Sequence, residues 1–103
     1  MNDQPLSLIR VSGDSSPFKA AGAIAAIIRE RHHVAVQAIG AAALNQAMKA
    51  IIYARRYVEQ DQLDLIFIPA FQDIELEGAV KTAVRLEVVA RPLVKPETEQ
   101  AAP

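Results

Sequence analysis

The chain reads as one α/β domain of the two-layer α+β kind, with the element order β-α-β-α-β-β and two helices covering one face of a mixed four-stranded sheet. Three observations predict it. Two segments with apolar residues at helical spacing alternate with short runs of β-branched residues. The last third of the chain alternates apolar and polar residues on both sides of one glycine, the pattern of a hairpin. At 103 residues, with 51% hydrophobic and 22% charged side chains, the sequence suffices for one core and is too short for two.

Residues 6–11 form a short aliphatic strand, with Ile9 and Val11 on one face and Leu8 and Arg10 on the other. Five turn-forming residues, Ser12-Gly13-Asp14-Ser15-Ser16, stop it. Ser16 followed by Pro17 starts a helix: the serine oxygen accepts from free amides, and proline at the first helical position loses no hydrogen bond. That helix runs over 17–31, with Ala20, Ile24, Ile27 and Ile28 as its inner stripe and Lys19, Ala23, Ala26 and Glu30 outside. Residues 33–39 alternate again and end at Gly40, a second strand parallel to the first. Residues 41–60 are alanine-rich, lack Gly and Pro, and space Leu44, Ala47, Met48, Ile51 and Val58 for a second helix.

Residues 63–71 are almost continuously apolar, as in a strand that is central or covered by a partner chain, yet Pro69 predicts a bend or an edge there. Ile74 and Leu76 alternate with Asp73, Glu75 and Glu77 up to Gly78. Residues 80–91 then place Thr82, Val84, Leu86 and Val88 inward and Lys81, Arg85, Glu87 and Arg91 outward. The domain is expected over 6–91, with 1–5 and 92–103 as flexible tails.

Composition narrows the function. Without cysteine there is no disulfide framework and no thiolate metal site, and no export signal or membrane span is visible, so the expected location is the cytoplasm. The net charge is −1; setting aside Lys95, Asp3, Glu97 and Glu99 leaves ten basic and nine acidic residues in the body, so any basic face must arise from arrangement. No Ser-His-Asp set, paired carboxylates in an apolar setting or phosphate-loop lysine motif can be assembled, and the chain is read as a binding protein rather than an enzyme, with no cofactor. The adjacent His32 and His33 point apart and do not make a metal pair.

Both helices follow parallel strands, so their amino ends are expected at one rim, where amides and helix dipoles favour an anion. Ser12, Gly13, Ser15, Ser16, Lys19, Gly40 and Asn45 would gather there, with Asp14 opposing an anion, and Ser16 and Gly40 equally explained as caps and turns. Lys81, Arg85 and Arg91 offer a basic stripe on the final strand, which Glu87 in its row and Glu75 and Glu77 opposite could neutralise. The small residues of the first helix, from Ala20 to Ala26, could equally pack against a neighbouring chain or simply favour helix.

Three stretches resemble the stage V sporulation protein S family: Val11-Ser12-Gly13-Asp14-Ser15-Ser16-Pro17, the run Gln37-Ala38-Ile39-Gly40 continuing through Leu44-Asn45-Gln46-Ala47-Met48-Lys49-Ala50, and Asp64-Leu65-Ile66-Phe67-Ile68-Pro69-Ala70-Phe71-Gln72-Asp73-Ile74. The resemblance implies a bacterial cytoplasmic protein of sporulation or developmental regulation, with a fold similar to the Alba superfamily of DNA- and RNA-binding proteins, which are typically dimers. Carried over by position, it implies nucleic-acid contacts from Ser15, Ser16 and Lys19, from Asn45 and Gln46 at the second helix start, and from Lys81 and Arg85 in the hairpin. Alba proteins are strongly basic, whereas this chain is nearly neutral and has Ala41, Ala42 and Ala43 at that start, which argues against tight, sequence-independent coating of DNA. A protein-interaction module and a binder of a small phosphorylated ligand remain alternatives.

Overall fold

The computed structural model describes residues 7–94; the remaining parts of the expected tails lie outside the described residues. Strand β1 (Leu8–Val11) leads through a turn into α1 (Pro17–Arg31), β2 (His33–Ala38) and α2 (Ala41–Val58). A 3-10 turn, Glu59–Asp61, then precedes β3 (Leu63–Leu76) and β4 (Ala79–Pro92). The sheet order is β1-β2-β4-β3, with β1 and β2 parallel and the other two pairings antiparallel. The expected fold class and element order are the ones observed.

Local chemistry sets the boundaries. Pro17 opens α1, and the Ser16 hydroxyl accepts from the Lys19 amide at 3.3 Å. His32 ends α1 in the left-handed region, its amide donating to the Ile28 carbonyl, so the chain reverses directly into β2. Glu77 and Gly78, both at positive φ, form a two-residue loop between the paired Leu76 and Ala79, and their conformation matches the right-handed twist of the ribbon.

The core lies between the helices and one sheet face. Ile24 and Ile28 of α1, Ala47, Ala50 and Ala54 of α2, Val34 and Val36 of β2, and Leu86 and Val88 of β4 are fully or almost fully buried. Alanines along α2 let it approach α1 and the sheet closely. The inner face of α1 is Ala21, Ile24, Ala25 and Ile28, so Ala21 and Ala25 take positions expected of Ala20 and Ile27, which are only partly buried.

β3 differs from the expectation of a central strand. It lies at the sheet edge, and it is one uninterrupted strand through Pro69, which pairs with Leu86. An edge strand tolerates a residue with no N–H, so the edge alternative offered by Pro69 is the one realised. The other face of β3 remains uncovered, leaving Ile66 and Ile68 exposed. The pairing of β4 with β2 ends at Val84, so 72–76 and 79–83 continue as a two-stranded arm. Thr82, expected to face inward, is exposed on that arm and donates to Asp73 at 3.1 Å, because the arm has run past the helices. At its other end β4 includes Pro92, and the Leu93 amide donates to the Gln62 carbonyl at 2.9 Å.

Candidate functional site

The turn after β1 folds onto the start of α2. The Ser12 amide donates to Ser15 Oγ at 2.8 Å and the Ser15 amide to the Ser12 carbonyl at 3.1 Å, which closes the loop on itself. Gln46 Nε2 donates to the Ser15 carbonyl at 2.9 Å and ties the loop to α2. A Cβ placed on Gly13 would lie 3.1 Å from the Ala42 Cβ, so glycine here is a matter of close approach between loop and helix. The amino ends of α1 and α2 therefore share one rim, as the two strand-helix units predict.

The chemistry of the rim follows from what its groups already do. Ser16 caps α1 and keeps its hydroxyl proton to donate outward, while Ser15 Oγ accepts from the Ser12 amide and shares a second hydrogen bond of 3.2 Å with the Ser12 hydroxyl, so one proton of that serine pair stays within the loop. Gly40 precedes α2 at φ 87° without a side-chain cap, leaving the first-turn amides of 41–43 uncapped by any side chain. Asn45 is exposed one turn later. Gln46, expected to contact a ligand, is half-buried with its amide engaged by Ser15, so its visible task is to position the loop.

The arm begins at the same end of the sheet. Lys81 is exposed on it, and Arg85, paired with Gln37 of β2, lies at its base on the face away from the helices. Glu75 pairs with Val80 and so occupies the opposite ribbon face from Lys81, which weakens the expected neutralisation. The arm also comes alongside the turn after β1: Arg10, Ser12, Gly13, Gln37, Ile74 and Glu75 are among the residues that line a groove of about 350 Å³. Arg10 was not among the candidates read from the sequence, although its place opposite Ile9 and Val11, next to the serine turn, signals an outward cation.

Among the described residues Arg10, Lys19, Lys81 and Arg85 form no ion pair; the acids around them are Asp14 in the turn and Glu75 in the groove, both exposed, and Glu87, which shares the sheet face of Arg85. The ion pairs are elsewhere. Asp64 accepts from Arg55 Nε at 2.7 Å and Nη2 at 3.1 Å and from the Leu65 amide at 2.8 Å, with Arg91 at 3.6 Å. The Arg55 hydrogen bonds hold its carboxyl below the ordinary carboxylate range against the opposing effect of burial. Arg29 bridges Asp61 at 2.7 Å and the Tyr57 carbonyl at 2.9 Å. These pairs fasten helices to sheet and turn, and the rim cations remain available.

Sequence reading also passed over an aromatic pair. Phe18, in the first turn of α1, stacks on Tyr53 of α2 with ring centroids 4.5 Å apart and planes at 26°, and Arg56 lies 5.7 Å from the Tyr53 centroid. His32 and His33 are split between the end of α1 and the start of β2, and no group of three or more His, Cys, Asp or Glu able to hold a metal occurs among the described residues. No described helix is long and apolar enough to cross a membrane.

Fold and rim together define a small two-layer α+β domain whose conspicuous surface is a serine- and amide-lined edge beside a hairpin arm. Residues 7–91 match the family model of stage V sporulation protein S, and the chain belongs to that family. The family suggests a sporulation-related role and is not known as one of enzymes, and the fold is consistent with the Alba-like superfamily.

Proposed function

We propose that the protein is a non-enzymatic, nucleic-acid-binding regulator that acts in the cytoplasm as a homo-oligomer. The observation that carries this reading is the convergence of both helix starts on one rim, held by the Gln46–Ser15 hydrogen bond and the Gly13–Ala42 approach, with Lys19 on α1, Lys81 on the adjoining arm and Arg85 at its base forming no ion pair among the described residues. Ser15, Ser16 and the α2 amides would donate to phosphate oxygens, Lys19, Lys81 and Arg85 would supply charge, and Asn45 would add a polar contact. Near-neutral overall charge favours moderate, selective binding over coating. Fluorescence anisotropy with labelled DNA and RNA at rising salt tests the reading. Binding at micromolar concentration or below that weakens with salt and with Lys19→Ala supports it; no binding at low salt removes it.

Assembly rests on a separate observation. The edge strand exposes Ile66 and Ile68 together on the sheet face away from the helices, an apolar surface at the border of the sheet. A second copy covering it would give the homo-oligomer. Light scattering reads the mass directly: Ile66→Glu with Ile68→Glu is expected to yield a monomer, whereas charge reversal at Lys81 on the arm leaves assembly intact. A wild-type monomer at all concentrations would remove the oligomer from the proposal.

A further inference from the structure

The outer face of the helix layer carries a feature that the rim does not require. Phe18 is 58% exposed, yet its ring is fixed, stacked against Tyr53, which is itself flanked by the Arg56 guanidinium. A solvent-facing aromatic held flat in this way presents a free π-face. Its surroundings are cationic. Lys19 is the next residue, Lys49 lies one helical turn before Tyr53, and neither forms an ion pair among the described residues. The only acidic residue within either helix is Glu30, twelve positions from Phe18 and so about 18 Å away along the axis, while Asp14 precedes α1 and Glu59 and Asp61 follow α2, the last engaged by Arg29. From Phe18 the surface continues one turn along α1 to Gly22, where a groove of about 440 Å³ between the helices reaches Arg29 and Arg56. Nothing lies within 4 Å of a Cβ placed on Gly22, so the groove floor is open.

We infer that this face is a stacking platform for single-stranded nucleic acid: an unpaired base lies on Phe18 while its flanking phosphates meet Lys19, Lys49 and Arg56. The inference rests on the nucleic-acid reading of the rim and narrows it. In a duplex the base faces are already occupied by their neighbours, so only an unpaired base can use the Phe18 ring. Charge complementarity selects an anionic polymer, and the stacked ring selects one that carries flat π-systems. Phe18 also follows Ser16 and Pro17 directly, so a strand whose phosphate sits at the α1 amino end delivers its adjacent base to the ring.

The test uses the full chain with single-stranded DNA and RNA oligonucleotides containing one 2-aminopurine, and with the matching duplexes. Stacking quenches 2-aminopurine fluorescence. The expected result is quenching on binding of either single strand, lost in Phe18→Ala and Phe18→Leu together with an affinity drop of about 5- to 100-fold, while duplex binding changes little. Phe18→Leu preserves apolar contact with Tyr53, and thermal melts of both variants confirm that α1 stays packed. If nucleic acid binds but no quenching occurs and both variants bind like wild type, the platform is overturned and phosphate binding at the rim survives. If neither strand nor duplex binds at low salt, the rim reading and the platform fall together.

Discussion

Replacing the rim cations one at a time gives a measurement whose outcome is set by electrostatics alone. If Lys19, Lys81 and Arg85 each neutralise one phosphate, the slope of log K against log salt is about −2.1 for a single strand and about −2.7 for a duplex. Between about 50 and 200 mM salt the affinity then falls roughly 20- to 40-fold. Each charge-removing substitution, Lys19→Gln, Lys81→Gln or Arg85→Gln, flattens the slope by about 0.7 to 0.9, because one counterion fewer is released. A contribution from Arg10 in the adjoining groove, or from Lys49 and Arg56 beside Phe18 for a single strand, would steepen the wild-type slope by the same increment for each contact. Anisotropy titrations at four or five salt concentrations read these slopes for wild type and variants. Measurable binding with a slope near zero, or slopes that none of the three substitutions changes, refutes phosphate contact by these residues.

Three further outcomes follow from the geometry. Asp14→Asn removes an exposed carboxylate from the loop and is expected to tighten nucleic-acid binding about two- to fivefold at low salt, an effect that vanishes as salt screens it. Gly13→Val forces methyl groups into the first turn of α2, already 3.1 Å from a bare Cβ; chemical denaturation should show a loss of about 1–3 kcal/mol and titration a weaker complex. Asp64→Asn breaks the bidentate contact with Arg55 and costs about 1–3 kcal/mol, read as a lower melting temperature at neutral pH. Because the folded Asp64 carboxyl titrates below its unfolded value, its stabilisation is complete above the ordinary carboxylate pKa of about 4 and is lost as pH falls through the lower folded value. The variant's melting temperature is therefore expected to fall less steeply than wild type in acid.

Much of the architecture was legible because local signals and long-range packing agree. Ser16-Pro17 marks the start of α1 to the residue, and Gly78 with Glu77 marks the turn of the arm. The length of β3 was harder to read. Gln72 and Asp73 look like an interruption after the apolar run, but each accepts from a polar partner, Gln37 at 3.3 Å and Thr82 at 3.1 Å, and the strand continues through them. The strand order, with β4 between β2 and β3, depends on pairings distant in sequence that no local pattern encodes. For the site, the serine turn announced itself, whereas the engagement of Gln46 depends on a contact across 31 residues. No local pattern marks Phe18; its exposure and its stack on Tyr53 follow only once α1 and α2 are seen side by side.

Pro69 sits near the middle of a fourteen-residue outermost strand that is rich in aliphatic side chains. Such a border is an invitation to neighbouring molecules to lengthen the sheet without limit. At Pro69 the row of backbone donors has a gap that no incoming strand can use, so growth into filaments meets a built-in stop. Copies that associate on this side are steered towards matching side-chain surfaces, which favours a closed assembly of defined size over a polymer.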